Sequence, residues 1–427
     1  MATRIPHLQP IYLGLCFAAL AHGCGARTPL NIDDGQAEAR GDSGADSGGD
    51  ADATSPGCGH GGTGKVLASL TLDPPSATSE PEGAVHLAWT GSQLLAAWTR
   101  WTNGNYKHVL AAVQVNPSTL AVSSSSTVDP GSTTNPFNSS IAWDGARLGR
   151  FWAQDDGSIV MQRFGSDAAS VDAVHTVVPP TGAQTIPTGV IVFGGSYIFS
   201  WAVQQTDGWI TYGARMGLDG TMAAPPTLFY AGSGYDLGAV LASNGSEVFA
   251  AWSTHPKTDP MSPITTTLAA IDPATAAVDA TEDIDTGVDH NLTDFAVETD
   301  RFDVCIWNTD AENVTVLARP FGAATFKPRA VIPVTSSPLI AADRCGLVAL
   351  LPTGKWKPDN GLATTLSLQR IGEQGVIGDA VKLPVTGQAI ESWSLAAIDG
   401  GFAVAWIEYQ DAASPSRVLR LAYVTVP

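Results

Sequence analysis

The chain has 427 residues, among them 44 Gly and 28 Pro, and only 15% are charged. Gly and Pro are costly inside helices, so this composition argues for many short strands and turns. The formal net charge is −19, and no cluster of Lys or Arg occurs. Phosphate recognition needs a basic field, which excludes a nucleic-acid binder.

The chain opens like an export signal. Arg4 supplies a basic start, Ile11 to Leu20 an apolar run, and Ala19, Ala21 and Gly23 the small residues that follow. The run is too short to span a bilayer permanently. Ala21-His22-Gly23-Cys24 resembles a bacterial lipobox, although that motif usually has Leu where Ala21 stands. The resemblance implies that residues 1–23 are removed and that Cys24 becomes a lipidated N-terminus. Ordinary cleavage after Ala19-Leu20-Ala21 is the alternative. Residues 24–63 are rich in Gly, Asp, Ala and Ser. They cannot bury an apolar face, so the expectation is a disordered, self-repelling tether. It contains Arg40-Gly41-Asp42-Ser43-Gly44, which overlaps an adhesion tripeptide and a protease segment. No strand or histidine partner surrounds it, so it reads as an accident of composition.

From Gly64 the pattern changes. Residues 65–72 read as a strand, and then a repeat begins. Its first strand and turn appear as Leu87-Ala88-Trp89-Thr90-Gly91, Ile141-Ala142-Trp143-Asp144-Gly145, Ile191-Val192-Phe193-Gly194-Gly195 and Leu241-Ala242-Ser243-Asn244-Gly245. Weaker copies start at Ala296, Ile340 and Ala396. The Asn-Gly, Asp-Gly and Gly-Gly pairs suit two-residue hairpin turns, where φ is positive. A second strand ends six or seven residues later at Trp98, Trp152, Trp201, Trp252, Trp307, Leu351 or Trp406. A third strand and a short fourth follow each time. Four antiparallel strands per roughly 50 residues make one propeller blade. Seven copies predict an all-β, seven-bladed β-propeller over 64–427. The last copy lacks a fourth strand, which 65–72 would supply, closing the ring and removing open sheet edges. The repeat resembles that of secreted bacterial lipoproteins with a β-propeller of Ala-Trp-Asp-Gly-type repeats. The resemblance implies the fold and little about activity.

The repeat tryptophans read as core, filling gaps between blades. The loops joining strands two and three open on one face of the ring, where binding is expected. Their candidate ligand residues are Trp101, Tyr106, Asp155, Asp156, Asp207, Trp209, Trp356 and Tyr409. Exposed rings stack on sugar C–H faces while carboxylates and amides take the hydroxyls; ordinary polar turns are the other reading of the same residues. Catalytic motifs are missing: no zinc helix, no nucleophile elbow and no P-loop occurs. The pairs Asp289/His290 and His255/Asp259 carry little support for metal or acid–base roles. No metal site and no cofactor is therefore expected. Cys305 and Cys345 sit at different heights in neighbouring copies, about 13 Å apart at ~3.3 Å per residue. A bridge between them is not expected.

These residues point to an exported monomer, lipid-anchored at the outer membrane or cell surface. It would bind a glycan or an envelope protein without catalysis. A propeller-type polysaccharide hydrolase and a scaffold without a small ligand are the alternatives.

Overall fold

A computed structural model describes residues 63–426, apart from 77, 104, 132–138, 207, 232–237, 255–264, 285–290, 299, 309–310, 344, 356–361 and 411–415. The described residues form 28 strands and no helix. The chain starts with β1 (Lys65–Asp73). Blade 1 is β2 (Ser79–Trp89), β3 (Leu94–Thr102), β4 (Asn105–Asn116) and β5 (Thr119–Val128). Blade 2 is β6 (Ser139–Trp143), β7 (Leu148–Ala153), β8 (Ile159–Phe164) and β9 (His175–Val178). Blade 3 is β10 (Thr185–Phe193), β11 (Ser196–Gln205), β12 (Gly208–Gly217) and β13 (Thr227–Ala231). Blade 4 is β14 (Val240–Ser243), β15 (Val248–Thr254), β16 (Thr265–Ile271) and β17 (Val278–Ile284). Blade 5 is β18 (Asn291–Val297), β19 (Arg301–Asn308), β20 (Asn313–Pro320) and β21 (Lys327–Pro333). Blade 6 is β22 (Leu339–Asp343), β23 (Gly346–Thr353), β24 (Thr365–Gly372) and β25 (Gly375–Lys382). The last copy contributes β26 (Ala389–Ile398), β27 (Gly401–Tyr409) and β28 (Arg417–Thr425).

Each copy folds into one four-stranded antiparallel sheet, and the seven sheets form a seven-bladed β-propeller. The seventh sheet runs β1-β28-β27-β26, so the first strand completes the last blade as expected. Its register extends from Lys65 opposite Thr425 to Asp73 opposite Leu419. The junction is held chemically as well as by pairing. The Asp73 carboxylate, 1% exposed, accepts from Trp98 Nε1 at 2.6 Å and Arg100 Nε at 2.8 Å, both in blade 1. One buried anion at the end of β1 thereby binds blade 7 to blade 1.

The second strands are apolar on both sides because each blade is sandwiched between two neighbours. Side chains alternate across a strand. Leu94, Ala96 and Trp98 pack with Ala405, Ile407, Leu419 and Leu421 of blade 7. The intervening Leu95 and Ala97 pack with Ile141, Trp143 and Leu148 of blade 2. This is why the sequence shows continuous apolar runs there rather than alternation. Trp98, Trp152, Trp201, Trp252 and Trp406 are buried, as is Leu351 in the copy that lacks the ring. Arginines add polar ties across the seams, two of which show the pattern. Arg150 of blade 2 donates to the Trp98 and Val109 carbonyls of blade 1. Arg329 of blade 5 donates to the Gly372 and Ile371 carbonyls of blade 6.

The turns divide into two kinds. Phe193 pairs directly with Ser196, so Gly194-Gly195 is the two-residue turn expected, with φ of 54° and 68°. Asp399-Gly400 is another, between Ile398 and Gly401. Three others are four-residue loops, which corrects the two-residue reading. Trp89 pairs with Leu94, Trp143 with Leu148 and Ser243 with Val248. In these three the side chain before the glycine bonds forward across the longer loop. Asp144 Oδ1 accepts from the backbone N–H of Ala146 and Arg147, and Asn244 Oδ1 does the same for Ser246 and Glu247. Thr90 Oγ1 accepts from Gln93 N at 2.9 Å. Such side-chain turns compete with the tight hairpin.

Cys345 is disulfide-bonded, but not to Cys305, whose thiol is buried in the core between blades 5 and 6.

Candidate binding site at the seam of blades 7 and 1

One face of the ring carries the strand 2–3 connections and the starts of the inner strands. At the seam of blades 7 and 1, this face gathers an acidic cluster around one arginine. Arg417, the first residue of β28, meets Glu80 at 2.9 Å, Glu391 at 2.7 Å and Glu82 at 3.7 Å. Its backbone N–H also donates to Glu80 Oε2 at 3.2 Å. Its guanidinium lies 5.2 Å from the Tyr409 ring centroid, and Nη2 is 3.4 Å from that phenol oxygen.

Local backbone geometry places these side chains. Glu80 and Glu82 stand two apart on β2 and so share one face of the strand. Both precede an irregularity in the β2–β3 register, between Glu82 and His86. Glu391 occupies a bulge in β26, between the paired residues Ile390 and Ser392. A bulge re-aims a side chain that regular pairing would send elsewhere. Ser392 Oγ then accepts from Val85 N at 3.3 Å, fixing the two inner strands together. Trp101 lies opposite both Glu80 and Tyr106 in the register of blade 1. Its side chain is 36% exposed at the rim.

Three carboxylates share one cation, so the cluster carries excess negative charge when all are ionised. Burial pushes Glu82 and Glu391 above the usual carboxylate range, with Arg417 pulling against it. Burial also raises both phenols, aided by the neighbouring glutamates: Tyr106 moves up and Tyr409 is pushed up to about 12. Burial works against the charge on Arg417, but Glu391, Tyr409, Glu82 and Glu80 together hold it firmly protonated. Below this site, Glu408 is fully buried and accepts from Trp406 Nε1 at 2.9 Å, Thr386 Oγ1 at 2.7 Å and Arg420 Nε at 3.0 Å. Burial alone would raise its carboxyl, but these donors outweigh it and hold it low.

The cluster can accept hydrogen bonds from hydroxyl or ammonium groups, beside a partly exposed indole. Among the described residues, no group of three or more His, Cys, Asp and Glu is arranged to hold a metal ion. The glutamates are spread around the guanidinium instead of converging on one point.

The structure brings together Trp101, Tyr106 and Tyr409 of the residues singled out from sequence. Asp155 and Asp156 are exposed on the connection of blade 2. Asp156 Oδ1 accepts from Ser158 N at 2.8 Å, and Ser158 holds its carboxyl below the usual range. Trp209 is 5% exposed and packs against Ile186 and Ala202, so its ring belongs to the core and not to the surface. Asp207, Trp356, His255, Asp259, Asp289 and His290 lie outside the described residues, as does Cys24. Sequence reasoning missed Glu80, Glu82, Glu391 and Arg417. A signal existed: Glu82 and Glu391 each stand five residues before a repeat copy, at Leu87 and Ala396.

No protein-family model matches the chain, and no curated protein matches it in sequence. Solved structures match in fold. An oligogalacturonate lyase from Vibrio parahaemolyticus is 10% identical with a TM-score of 0.50, over 83% of this chain and 92% of that one. An oligogalacturonate lyase in complex with manganese is 10% identical with a TM-score of 0.49, over 86% and 98%. Trypanosoma rangeli sialidase is 9% identical with a TM-score of 0.45, over 83% of this chain and 59% of that one. At such identities the likeness shows the propeller fold alone.

Proposed function

We propose that the protein is a non-catalytic binding module for a carbohydrate, taken at the seam of blades 7 and 1. The observation that carries this reading is the meeting of Glu80, Glu82 and Glu391 with the exposed Trp101 and with Tyr106 and Tyr409. An indole offers a stacking face, and carboxylates accept sugar hydroxyls in directions that a bulged backbone fixes. Excess negative charge favours a neutral or amine-bearing sugar over an acidic one. The same proposal places the chain outside the cytoplasm, held at the envelope by a lipid on Cys24, with residues 24–63 as tether. A protein partner at the same face is the reading that remains if no sugar binds.

A propeller hydrolase draws support from the raised carboxyls of Glu82 and Glu391, since a general acid must hold its proton. Against it, Arg417 engages all three glutamates, leaving none as a separate nucleophile or base. A glycan array probed with the purified protein tests the binding reading. Retention of neutral or amino sugars without release of reducing ends supports it. Silence across the array overturns it, and release of reducing ends replaces it with the hydrolase.

A further inference from the structure

We infer that the seam between blades 1 and 2 is an acid-opened joint, with the His108 side chain as its trigger. His108, on β4, is buried, and neither of its ring nitrogens has a hydrogen-bond partner among the described residues. Its ring meets the Trp152 indole of blade 2 edge to face, with centroids 5.0 Å apart. The buried Arg150 guanidinium of the same blade donates to the Val109 carbonyl at 3.2 Å and the Trp98 carbonyl at 3.3 Å. Val109 and Trp98 are the pair next to His108 and Thr99 in the register of blade 1, so the guanidinium sits one residue from the imidazole. Both carbonyls are neutral and leave its charge uncompensated. Burial draws that guanidinium down to about 9, which still keeps it charged at neutral pH. His86 of β2, two residues before Ala88 on the face that packs on blade 2, is buried as well. The other charged groups on the packed elements are engaged elsewhere. Glu82, opposite Thr99 on β2, meets Arg417 at 3.7 Å. Lys107 and Arg100 alternate to the far face of blade 1, and Asp129, just past β5, binds Lys107 at 2.5 Å in solvent. Arg163 of β8 turns to blade 3, where it donates to the Leu218 carbonyl, and pairs with Asp172 at 2.5 Å.

A proton added to His108 would set an imidazolium beside Arg150 in a dry seam, and a buried charge without a partner is costly. Burial first, then Arg150 and His86, hold the imidazole neutral well below its ordinary range. In the opened seam water solvates the ring, so the opened form takes the proton first. The closed seam is therefore fully favoured above about pH 6.5 and loses its advantage as pH falls below that value. Each further unit multiplies the opened fraction by up to about ten. Tyr106 stands two residues before His108 on β4, and Trp101 two residues after Thr99 on β3. Both rim rings thus ride on strands that the opening loosens. Acid would then release a sugar held there; that consequence rests on the binding reading above, whereas the joint itself does not.

Hydrogen exchange of the full-length protein without any sugar, read by mass spectrometry at about pH 7 and about pH 5, tests the joint. Peptides of β23 and β24 correct for the pH dependence of exchange itself, since residues 339–382 contain no histidine. After that correction, β4 and β7 should exchange roughly tenfold or more faster at the lower pH. In H108Q, a neutral polar replacement, the corrected rates should match at the two values. Titration of ring-labelled histidine by NMR in the unsubstituted protein keeps the test decisive if H108Q does not fold: the His108 ring should stay neutral for as long as β4 and β7 stay protected. Equal corrected exchange at the two values in the unsubstituted protein, the same acceleration in H108Q, or a His108 ring that titrates near about 6.5 while the seam stays closed overturns the inference. Because no sugar is present, silence on the glycan array leaves this result untouched.

Discussion

Asp73→Ala should loosen the seam of blades 7 and 1, where the outer strand of blade 7 meets blade 1. The carboxylate is buried and accepts from Trp98 Nε1 and from two nitrogens of Arg100. Without it, the indole N–H is stranded in a dry seam, at a cost of about 1–3 kcal/mol. The charge-assisted pair contributes roughly 1.5–3 kcal/mol, discounted because the Arg100 side chain is 34% exposed and can turn to water. The expected loss is about 3 kcal/mol. Urea denaturation followed by tryptophan fluorescence measures it. With an m-value of about 3 kcal/mol/M, the midpoint should fall by about 1 M. D73N keeps the shape and one acceptor, so it should fall by about half as much. An Asp73→Ala midpoint within about 0.2 M of the unsubstituted protein, at unchanged m, refutes the reasoning that this anion fastens the closure.

Three further outcomes are expected. Deleting residues 65–73 leaves blade 7 without its outer strand, so the melting midpoint should drop far more than on deleting 24–57; equal drops would contradict closure by β1. Arg417→Met leaves Glu80, Glu82 and Glu391 uncompensated, costing about 3–5 kcal/mol near pH 8. The cost should shrink near pH 5, because burial already pushes Glu82 and Glu391 toward protonation, and paired urea melts at the two values check this. Burial, with Glu298 beside it, pushes the Asp303 carboxyl above the usual carboxylate range, although Arg329 Nη1 at 2.6 Å pulls against it. A raised carboxyl contributes stability that is full below the unfolded value and lost as pH rises through the folded one. The stability that Asp303 contributes should therefore fall as pH rises above the usual carboxylate range, and D303N should flatten that slope in denaturant titrations.

The blades were legible because their signals are local. A glycine turn followed at fixed spacing by tryptophan, with apolar residues on both strand faces, requires neighbours on both sides, and seven copies require a ring. The missing outer strand of the last copy even assigned β1 its place. Turn length was not legible from the glycine pairs alone. Asp144, Asn244 and Thr90 bond forward along the backbone over four-residue turns, whereas Gly194 in the same position has no side chain to do so. The candidate site was half legible. Trp101, Tyr106 and Tyr409 stand on the expected face, but Arg417 meets Glu80 across 337 residues of chain, a contact that only ring closure creates. Trp209 misled because its place after a polar turn looked exposed, while the side chain folds back on Ile186.

The central claim is that a sugar is held at the seam of blades 7 and 1. Calorimetric titration of a glycan retained on the array, against the unsubstituted protein, Trp101→Ala and Glu82→Gln, tests it most directly. Truncating a tryptophan that anchors a binding surface typically costs more than about 1 kcal/mol. Trp101→Ala should therefore weaken binding roughly tenfold or more, with Glu82→Gln also weaker and both melting curves unchanged. Equal affinity for all three proteins would place the ligand elsewhere on the ring and contradict the account.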